Sequence, residues 1–282
     1  MRAVAALLAA VALLGCRAAT GAVAPIPDFD HVIVVVFENK ETGSVLGSRD
    51  APTFNLYARV YARMTQYYGV THPSLPNYLA LISGSTFGYT TDCVDCNLDA
   101  PTLPDTLEAS GRSWKAYVEG LPNRAFLGGY SGLYAKKHNP FAYFNPIRDD
   151  PARAQRIVPV GELAADVAAK ALPDFAFVVP DLCNSMHDCS VKVGDTWLRR
   201  HIGPLLKLPR TVIFITFDEG RTWARGGGHV TTLAVGTAVR RRSAFRGITN
   251  HYGLLRTIEQ AWGLPRLGLS ARARPITGVW LR

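Results

Sequence analysis

The chain has 282 residues, enough to bury one large hydrophobic core without requiring a second domain. Its formal net charge of +9 arises from 31 Lys and Arg against 22 Asp and Glu, and this excess favours anionic partners such as phosphate esters, phospholipid surfaces or nucleic acid. Nucleic acid is disfavoured because the sequence has no zinc finger, RNP-like aromatic motif or heptad-bearing basic helix, and the basic run at 240–242 is typical of a solvated loop.

Residues 1–24 have the features of an export signal. Met1-Arg2 gives a charged start, and the apolar run that follows, residues 3–14, is too short to span a membrane comfortably. Cleavage after Ala24 is one reading, although Pro25 is an awkward next residue. Residues 13–16 resemble a lipobox, in which Cys16 would be lipidated, and we favour this reading. We therefore expect an exported protein, either a cell-envelope lipoprotein associated with a membrane surface or a secreted or periplasmic protein.

The cysteines fit an exported protein. Setting Cys16 aside leaves an even number, namely Cys93, Cys96, Cys183 and Cys189. We predict two short local disulfides from these four, although spacing does not fix their connectivity. A zinc site at the Cys-x-x-Cys pair is the alternative, and an oxidising compartment disfavours it. No later segment has the roughly 18 uninterrupted apolar residues of a transmembrane helix.

Residues 25–282 are predicted to form one domain. Residues 22–30 are Pro-rich and polar and are predicted to be a tether, followed by a strand over 31–37 and a helix over 54–65 capped by Thr53. A second helix follows residues 71–78 and stops at Gly84. Pro76 near its start supplies a helical φ, and the free N–H groups of its first turn point towards an anion site.

The middle of the chain is less regular. Residues 85–104 are predicted to be an irregular loop, 103–110 a helix ended by Gly111, and 114–118 a strand. Residues 121–150 are rich in Gly, Pro and aromatic residues without periodicity, which is typical of functional loops or lids.

Strands and helices alternate in the remainder. We predict helices over 160–171, 194–206 and 252–262, and strands over 175–179, 211–217 and 230–236. This alternation favours an α/β fold, a three-layer α/β/α sandwich with a mostly parallel central sheet.

Three of these strands are followed by polar residues able to hold a metal or a phosphate. Glu38-Asn39 follows the first, Asp181 comes just after the strand at 175–179, and Asp218-Glu219 follows the strand at 211–217. Continuous apolar strands suit a parallel sheet covered on both faces, whose ligands bind beyond the carboxyl ends. Carboxylate, amide and hydroxyl oxygens suit Mg²⁺, Ca²⁺ or Mn²⁺, and an added imidazole shifts the preference towards zinc or iron. We expect a divalent metal cofactor whose identity stays open.

Four of the seven histidines lie beside these clusters. They are His72, His187, His229 and His251, whereas His31 and His201 are expected to be structural. Phosphoryl transfer needs a nucleophile, positive charge around the phosphoryl oxygens and an acid for the leaving alkoxide, and the chain offers each.

Six motifs resemble those of the phosphoesterase family of bacterial acid phosphatases and phospholipases C, within the alkaline phosphatase superfamily. They are Phe37-Glu38-Asn39, residues 71–78 (Thr-His-Pro-Ser-Leu-Pro-Asn-Tyr), residues 136–141 (Lys-Lys-His-Asn-Pro-Phe), Met186-His187-Asp188 with residues 194–198, Phe217-Asp218-Glu219, and His251-Tyr252. Their order and spacing cover about residues 31–280. The resemblance implies an alkaline-phosphatase-like fold and a phosphoesterase activity.

The resemblance also implies roles for individual residues. Ser74 is the expected nucleophile, because Ser-Leu-Pro-Asn resembles the Thr-x-Pro-Asn of related nucleotide pyrophosphatases, and Thr71 is the reserve. Glu38, Asn39, Asp218 and Glu219 are the expected metal ligands, while His72, His187 and His251 would surround the phosphoryl group as donors or general acid. Asn77, Lys137, His138 and His229 would contact the substrate. Asp181 departs from the family pattern and is expected behind the metal ligands.

Taken alone, several of these residues have simpler interpretations. Ser74 would be an ordinary helix cap, His187 the cap of a turn, and Lys136-Lys137 a solvated surface pair. With the resemblance, we predict an exported acid phosphatase that hydrolyses phosphate monoesters, with phosphoinositides among them, through a phosphoserine intermediate. Its partner would be a phosphate ester or phospholipid headgroup, and its oligomeric state stays open. The alternatives are a phospholipase C-type phosphodiesterase and a non-catalytic surface lipoprotein that binds phosphorylated ligands.

Overall fold

A β-sheet of eight strands forms the centre of the computed structural model, which describes residues 26–281. The predicted export signal and Cys16 lie outside the described residues. In chain order the strands are β1 (His31–Phe37), β2 (Ala62–Met64), β3 (Tyr67–Tyr68), β4 (Trp114–Val118), β5 (Tyr130–Ser131), β6 (Tyr134–Ala135), β7 (Ile157–Pro159), β8 (Phe175–Val179), β9 (Thr211–Phe217), β10 (Leu233–Val235), β11 (Ser243–Phe245) and β12 (Thr249–Asn250).

The sheet has the strand order β11-β2-β10-β9-β1-β8-β4-β7. The five strands from β9 to β7 are all parallel, and β10 runs antiparallel to both of its neighbours. β1, β8 and β9 are apolar along almost their whole length because both faces of the sheet are covered, and nearly every residue in them is buried. The predicted mostly parallel sheet is confirmed.

Nine α-helices lie in the described residues. They are α1 (Thr42–Val45), α2 (Pro52–Val60), α3 (Ser74–Ser83), α4 (Leu103–Ala109), α5 (Asn145–Arg148), α6 (Pro151–Ala154), α7 (Glu162–Ala168), α8 (Val191–His201) and α9 (His251–Ala261). α7 is shorter than predicted. α8 begins earlier than predicted and is followed by a separate 3₁₀ segment, Gly203–Lys207.

The first predicted helix was wrong at both ends. α2 begins at Pro52 behind Ala51, so Thr53 is not its cap. The backbone N–H groups of Thr53 and Phe54 instead donate to Oδ1 of Asp195 from α8, at 2.8 and 3.0 Å. Residues 62–64, predicted to be helical, form β2, because pairing with β10 and β11 overrides the helical spacing of their side chains.

Two further predictions of loose structure are corrected. Ile26 and Phe29 are buried in the predicted tether, and the Phe29 ring packs edge-on against Trp280 at 5.3 Å. Of the predicted loop or lid at 121–150, residues 134–144 are packed, since Phe141 stacks on Trp114 at 5.2 Å and the aromatic residues around it are buried, whereas 122–133 are exposed or half-buried. Apolar side chains from all these segments join one connected core.

Both local disulfides are present. Cys93 is bonded to Cys96 and Cys183 to Cys189, which confirms the prediction and rules out a zinc site at the Cys-x-x-Cys pair. Between residues 26 and 281, none of the helices has the length and apolar character needed to cross a membrane.

Candidate active site

Two buried carboxylates lie side by side at the carboxyl edge of the sheet. Phe37 of β1 is in register with Phe217 of β9, so the next residues, Glu38 and Asp218, emerge together, and both are fully buried. Glu38 accepts hydrogen bonds from the Tyr78 hydroxyl and from Oγ of Ser74, the latter at 3.3 Å. The strand ends thus bring the two predicted metal ligands together.

Asn39 and Glu219 complete this acid cluster. The backbone N–H of Asn39 donates to Oδ1 of Asp218 at 3.1 Å. One end of its side-chain amide faces donors, and the other end faces the carboxylates of Asp218 and Glu219. With the amide nitrogen turned towards them, it lies 3.2 Å from Oε1 of Glu219 and 3.2 and 3.3 Å from the two oxygens of Asp218. All four predicted metal ligands are therefore neighbours.

Burial makes ionisation of the acid cluster costly. It raises the pKa of Glu38 well above its usual value, and the Asp218 charge raises it further. Burial also raises the pKa of Asp218, and it raises that of Glu219 to about 9, with the Asp218 charge as the next cause. The positive charge near these carboxylates is therefore too small to stabilise their ionised forms, as expected where a cation binds.

The residues present fit a hard divalent ion. Between residues 26 and 281, no three His, Cys, Asp or Glu side chains form a group that holds a metal without other donors. A metal site with oxygen ligands would therefore have to use the Asn39 amide beside the carboxylates of Glu38, Asp218 and Glu219. Oε2 of Glu219 is buried and lies beside Nδ1 of His72, and carboxylate and amide oxygens are the donors that Mg²⁺, Ca²⁺ and Mn²⁺ prefer.

Ser74 lies against this cluster at the first position of α3. Pro73 precedes the helix and Pro76 lies in its first turn, so the chain enters the helix abruptly with the serine buried. The next backbone N–H, that of Leu75, donates to Oδ1 of Asp92 at 2.9 Å. Thr71 directs its hydroxyl to the carbonyl of His72 at 3.3 Å. Of the two candidate nucleophiles, Ser74 is the one beside the acids.

Lys137, His138 and His187 approach the cluster from the other side. Nζ of Lys137 lies 3.0 Å from Oδ2 of Asp92 and 3.4 Å from Nε2 of His187. Burial opposes the charged form of Lys137, but the Asp92 carboxylate outweighs it and the pKa is raised. Lys137 is therefore a cation held beside the acids and is not a solvated surface lysine.

The two histidines of this group differ in exposure. His138 is buried and stacked on Tyr78, with Nε2 3.2 Å from Oε2 of Glu38 but without the alignment of a hydrogen bond. Burial lowers the pKa of His138 well below its usual value, so this ring is neutral. His187 is partly exposed, and its Nδ1 lies 2.6 Å from Oδ1 of Asp188. His187 is thus at the solvent side of the site.

His72 and His251 face protein oxygens. Nδ1 of His72 lies 2.6 Å from Oε2 of Glu219 and Nε2 lies 2.9 Å from the carbonyl of Thr222, so the ring holds Glu219 in place. His251 donates from Nε2 to the carbonyl of Asp218 and accepts at Nδ1 from the Tyr67 hydroxyl at 3.0 Å. Burial lowers the pKa of His251 to about 4. Both rings therefore contact residues of the acid cluster, and their predicted contact with a phosphoryl group stays a prediction.

Three other predicted residues have structural positions. The Asn77 side chain accepts from the N–H groups of Val70 and Thr71 and donates to the carbonyls of Thr71 and Pro73, which uses its whole hydrogen-bonding capacity. It therefore shapes the segment before Ser74 and does not contact substrate. His229 stacks on Tyr68 at 5.1 Å, and its Nε2 lies 3.1 Å from the carbonyl of Thr65.

Asp181 does not join the site. Its Oδ1 accepts from the N–H groups of Cys183 and Asn184, at 3.0 and 2.7 Å, and so caps the turn after β8. The predicted convergence of three acidic clusters is therefore corrected to two.

Sequence reasoning missed four supporting residues. Tyr78 lies within a recognised motif but was assigned no role, although its hydroxyl binds Glu38. Asp92 links α3 to Lys137, and Lys40 donates to the carbonyl of Met186 at 2.6 Å, close enough to Glu38 and Asp218 for their charges to act on it. Glu41 accepts from the backbone of 221–222 and of His229. Among these four residues, only Asp92 could have been singled out from the sequence as a supporting residue, because it immediately precedes the cysteine pair.

Comparison of the sequence with known proteins identifies the family of this chain. Residues 37–265 match the model of the phosphoesterase family. The chain is 35% identical over 263 residues to a phosphatidylinositol-3-phosphatase of Mycobacterium tuberculosis, covering 92% of this chain and 85% of that protein. It is 32% identical to an acid phosphatase of Aspergillus fumigatus and 31% identical to a phosphate-repressible acid phosphatase of Penicillium chrysogenum, covering 73% of this chain in both cases but only 49% and 53% of those proteins. The chain spans about half the length of these fungal relatives.

Solved structures show the same fold at low sequence identity. A protein of the alkaline phosphatase superfamily from Vibrio parahaemolyticus has a TM-score of 0.59 at 14% identity, covering 86% of this chain and 69% of that one. The murine ectonucleotide pyrophosphatase / phosphodiesterase 5 has a TM-score of 0.57 at 12% identity, covering 88% of this chain and all of that one. The predicted alkaline-phosphatase-like fold and the predicted enzyme class, a hydrolase of phosphoric esters, are confirmed, and the chain belongs to the phosphoesterase family.

Proposed function

We propose that the chain is an exported acid phosphatase that transfers the phosphoryl group of a monoester to Ser74 and then hydrolyses the phosphoserine. The observation that carries the proposal is a buried serine hydroxyl at the start of α3, 3.3 Å from Oε2 of Glu38 within a cluster of buried acids. Because two named acid phosphatases and a phosphatidylinositol-3-phosphatase are relatives, phosphoinositides are included among the proposed substrates.

The proposed metal site consists of Glu38, Asn39, Asp218 and Glu219. A divalent ion held there would neutralise phosphoryl oxygens and favour the alkoxide form of a neighbouring hydroxyl. His72 holds Glu219 and His251 holds Asp218 through its backbone, so both histidines act by positioning ligands.

Each remaining step is assigned to a side chain in the site. Oγ of Ser74 passes its proton to Oε2 of Glu38, to which it donates at 3.3 Å, and forms a bond to phosphorus as the bond to the ester oxygen breaks. The Lys137 ammonium attracts the phosphoryl oxygens during this step. The leaving alkoxide takes a proton from Nε2 of His187, whose imidazolium is stabilised by Asp188. Water then gives a proton to His187 and attacks phosphorus, the bond to Oγ breaks, and Oγ recovers its proton from Glu38, so that Ser74 is regenerated with release of inorganic phosphate.

A comparison of substrates tests this function. We expect phosphate release from p-nitrophenyl phosphate to exceed turnover of bis(p-nitrophenyl) phosphate and of phosphatidylcholine by about 10²-fold or more in kcat/KM, because a monoester offers the Lys137 ammonium one more anionic oxygen than a diester does. EDTA should abolish the activity and Mg²⁺, Ca²⁺ or Mn²⁺ should restore it. Turnover of diesters alone would replace the proposal with a phospholipase C-type activity. Ligand binding without turnover would favour a phospho-ligand-binding lipoprotein.

Export is proposed on separate grounds. The charged and apolar start of the chain and its two disulfides support an oxidising compartment, and Cys16 supports membrane-surface association. Mass spectrometry of the mature protein should find diacylated Cys16 at its N-terminus. An unmodified N-terminus at residue 25 would contradict lipidation and leave free secretion.

A further inference from the structure

A basic cleft lies next to the acid cluster. It has a volume of about 380 Å³, and its lining includes the side chains of Arg225, Arg272 and Arg274 with Tyr68 and Tyr252. No carboxylate is among its lining residues. Three arginines, which stay charged at any physiological pH, therefore line one cleft, and the Arg274 guanidinium lies 5.8 Å over the Phe245 ring.

These arginines lack an internal counter-charge. Within residues 26–281, none of the three has a carboxylate within 4.0 Å. The guanidinium of Arg225 instead lies 5.4 Å over the Tyr68 ring, and the Arg225 backbone has φ +51°, in the left-handed region that residues other than glycine rarely adopt. The loop thus holds Arg225 over the cleft at a conformational cost, and an anion would offset the repulsion among the three charges.

Several residues that line the cleft are close in sequence to residues that contact the acid cluster. Tyr68 precedes His72 by four residues, which limits their Cα atoms to about 14 Å apart. Trp223, two residues before Arg225, packs on the His72 ring at 4.5 Å. Asn250 lines the cleft, and the next residue, His251, binds the carbonyl of Asp218. The cleft and the acid cluster are therefore built from neighbouring residues of the same chain segments.

We propose that this cleft is a second anion subsite, which binds a phosphate group other than the one transferred. Resting on the proposed function, this names the substrate class as monoesters that carry a second phosphate, whether another monoester on a soluble polyol or the diester of a phosphoinositide. Paired N–H groups of arginine match phosphate oxygens bidentately, and Tyr68 and Tyr252 offer flat surfaces for the ring or chain between the two phosphates.

The test compares substrates that carry one phosphate and two. The double variant Arg272→Gln/Arg274→Gln should lower kcat/KM by about tenfold or more, mainly through KM, for inositol 1,3-bisphosphate and for short-chain dibutanoyl phosphatidylinositol 3-phosphate. Its kcat/KM for p-nitrophenyl phosphate should stay within about twofold. The matched control, Arg199→Gln/Arg200→Gln, removes the same charge from two exposed positions of α8 and should change none of the three.

Binding provides a readout that does not need turnover. In a Ser74→Ala background, calorimetry should show inositol 1,3-bisphosphate binding about tenfold more weakly when Arg272 and Arg274 are also replaced. This binding result would support the subsite even if no substrate were hydrolysed. An absence of hydrolysis would refute only the proposed phosphatase function. Equal losses for one-phosphate and two-phosphate substrates, or no loss for either, would overturn the subsite. A loss confined to the lipid would also overturn it, because contact with the glycerol or acyl groups would then explain the effect.

Discussion

Replacing Ser74 with alanine is expected to lower kcat for phosphate release by at least about 10³-fold while substrate affinity stays within severalfold. The substitution removes only the hydroxyl group, which faces Glu38 at the edge of the acid cluster. Steady-state kinetics with p-nitrophenyl phosphate measures the loss, and equilibrium binding measures affinity. In acid-quenched reactions of the unaltered chain, mass spectrometry should find a phosphate on the peptide that contains Ser74.

Two variants control for this result. Ser83→Ala removes a buried hydroxyl from the other end of α3, where Oγ donates to the carbonyl of Leu79 at 2.7 Å, and it should leave kcat within about threefold. Thr71→Ala tests the reserve nucleophile and should retain most of the activity. An active Ser74→Ala variant beside an inactive Thr71→Ala variant would refute the role of Ser74.

The substitution Glu38→Gln should move activity and stability in opposite directions. Activity should fall by about 10²-fold or more, because a proposed metal ligand loses its charge. In chelator-treated protein at pH 8, however, the variant should unfold at a higher temperature than the unaltered chain, by about 2–4 °C for each kcal/mol of repulsion relieved. Burial and the Asp218 charge raise the pKa of Glu38, so its ionisation in the folded state is unfavourable.

The sign of the pH dependence follows from that raised pKa. The unfolded chain ionises Glu38 near its usual value of 4.5, whereas the folded chain ionises it at higher pH. The stability of the metal-free protein should therefore be highest below about pH 4.5 and decline as pH rises towards the folded pKa, and Glu38→Gln should reduce this decline.

Thermal scans with EDTA and with Mg²⁺ measure both effects. Divalent metal should raise the melting temperature of the unaltered chain and have little effect on the variant. Glu259→Gln is the matched control, since Glu259 on α9 is a buried glutamate with a raised pKa that accepts a hydrogen bond from Ser270. The response of this variant to metal should be unchanged. A metal response retained by Glu38→Gln would exclude Glu38 as a ligand.

The buried strands were the most predictable part of the fold. β1, β8 and β9 have the predicted bounds because long apolar runs have few alternatives in a sheet covered on both faces. Short elements depend on distant partners. β2 has only three residues and is fixed by pairing with segments some 170 residues away, so its own spacing indicated a helix.

The site was predictable in its composition but only in part in its contacts. Parallel register brings Glu38 and Asp218 together, and that follows from strand order alone. Residue type does not show where a ring nitrogen points. His251 was expected to face a phosphoryl group, yet the Tyr67 hydroxyl and the Asp218 carbonyl use both of its nitrogens. Asn77 was expected to bind substrate, yet it braces the backbone before Ser74.

The Cys93–Cys96 disulfide lies beside residues that hold the active site together. Asp92, immediately before it, joins the first turn of the serine-bearing helix to Lys137, and the carbonyls of Cys93 and Val94 accept from Tyr143 and Lys136. A thiol reductant would open the Cys93–Cys96 disulfide and so allow both the start of α3 and the Lys137 ammonium to move. The turnover of the protein with this disulfide reduced should therefore be lower than that of the oxidised protein.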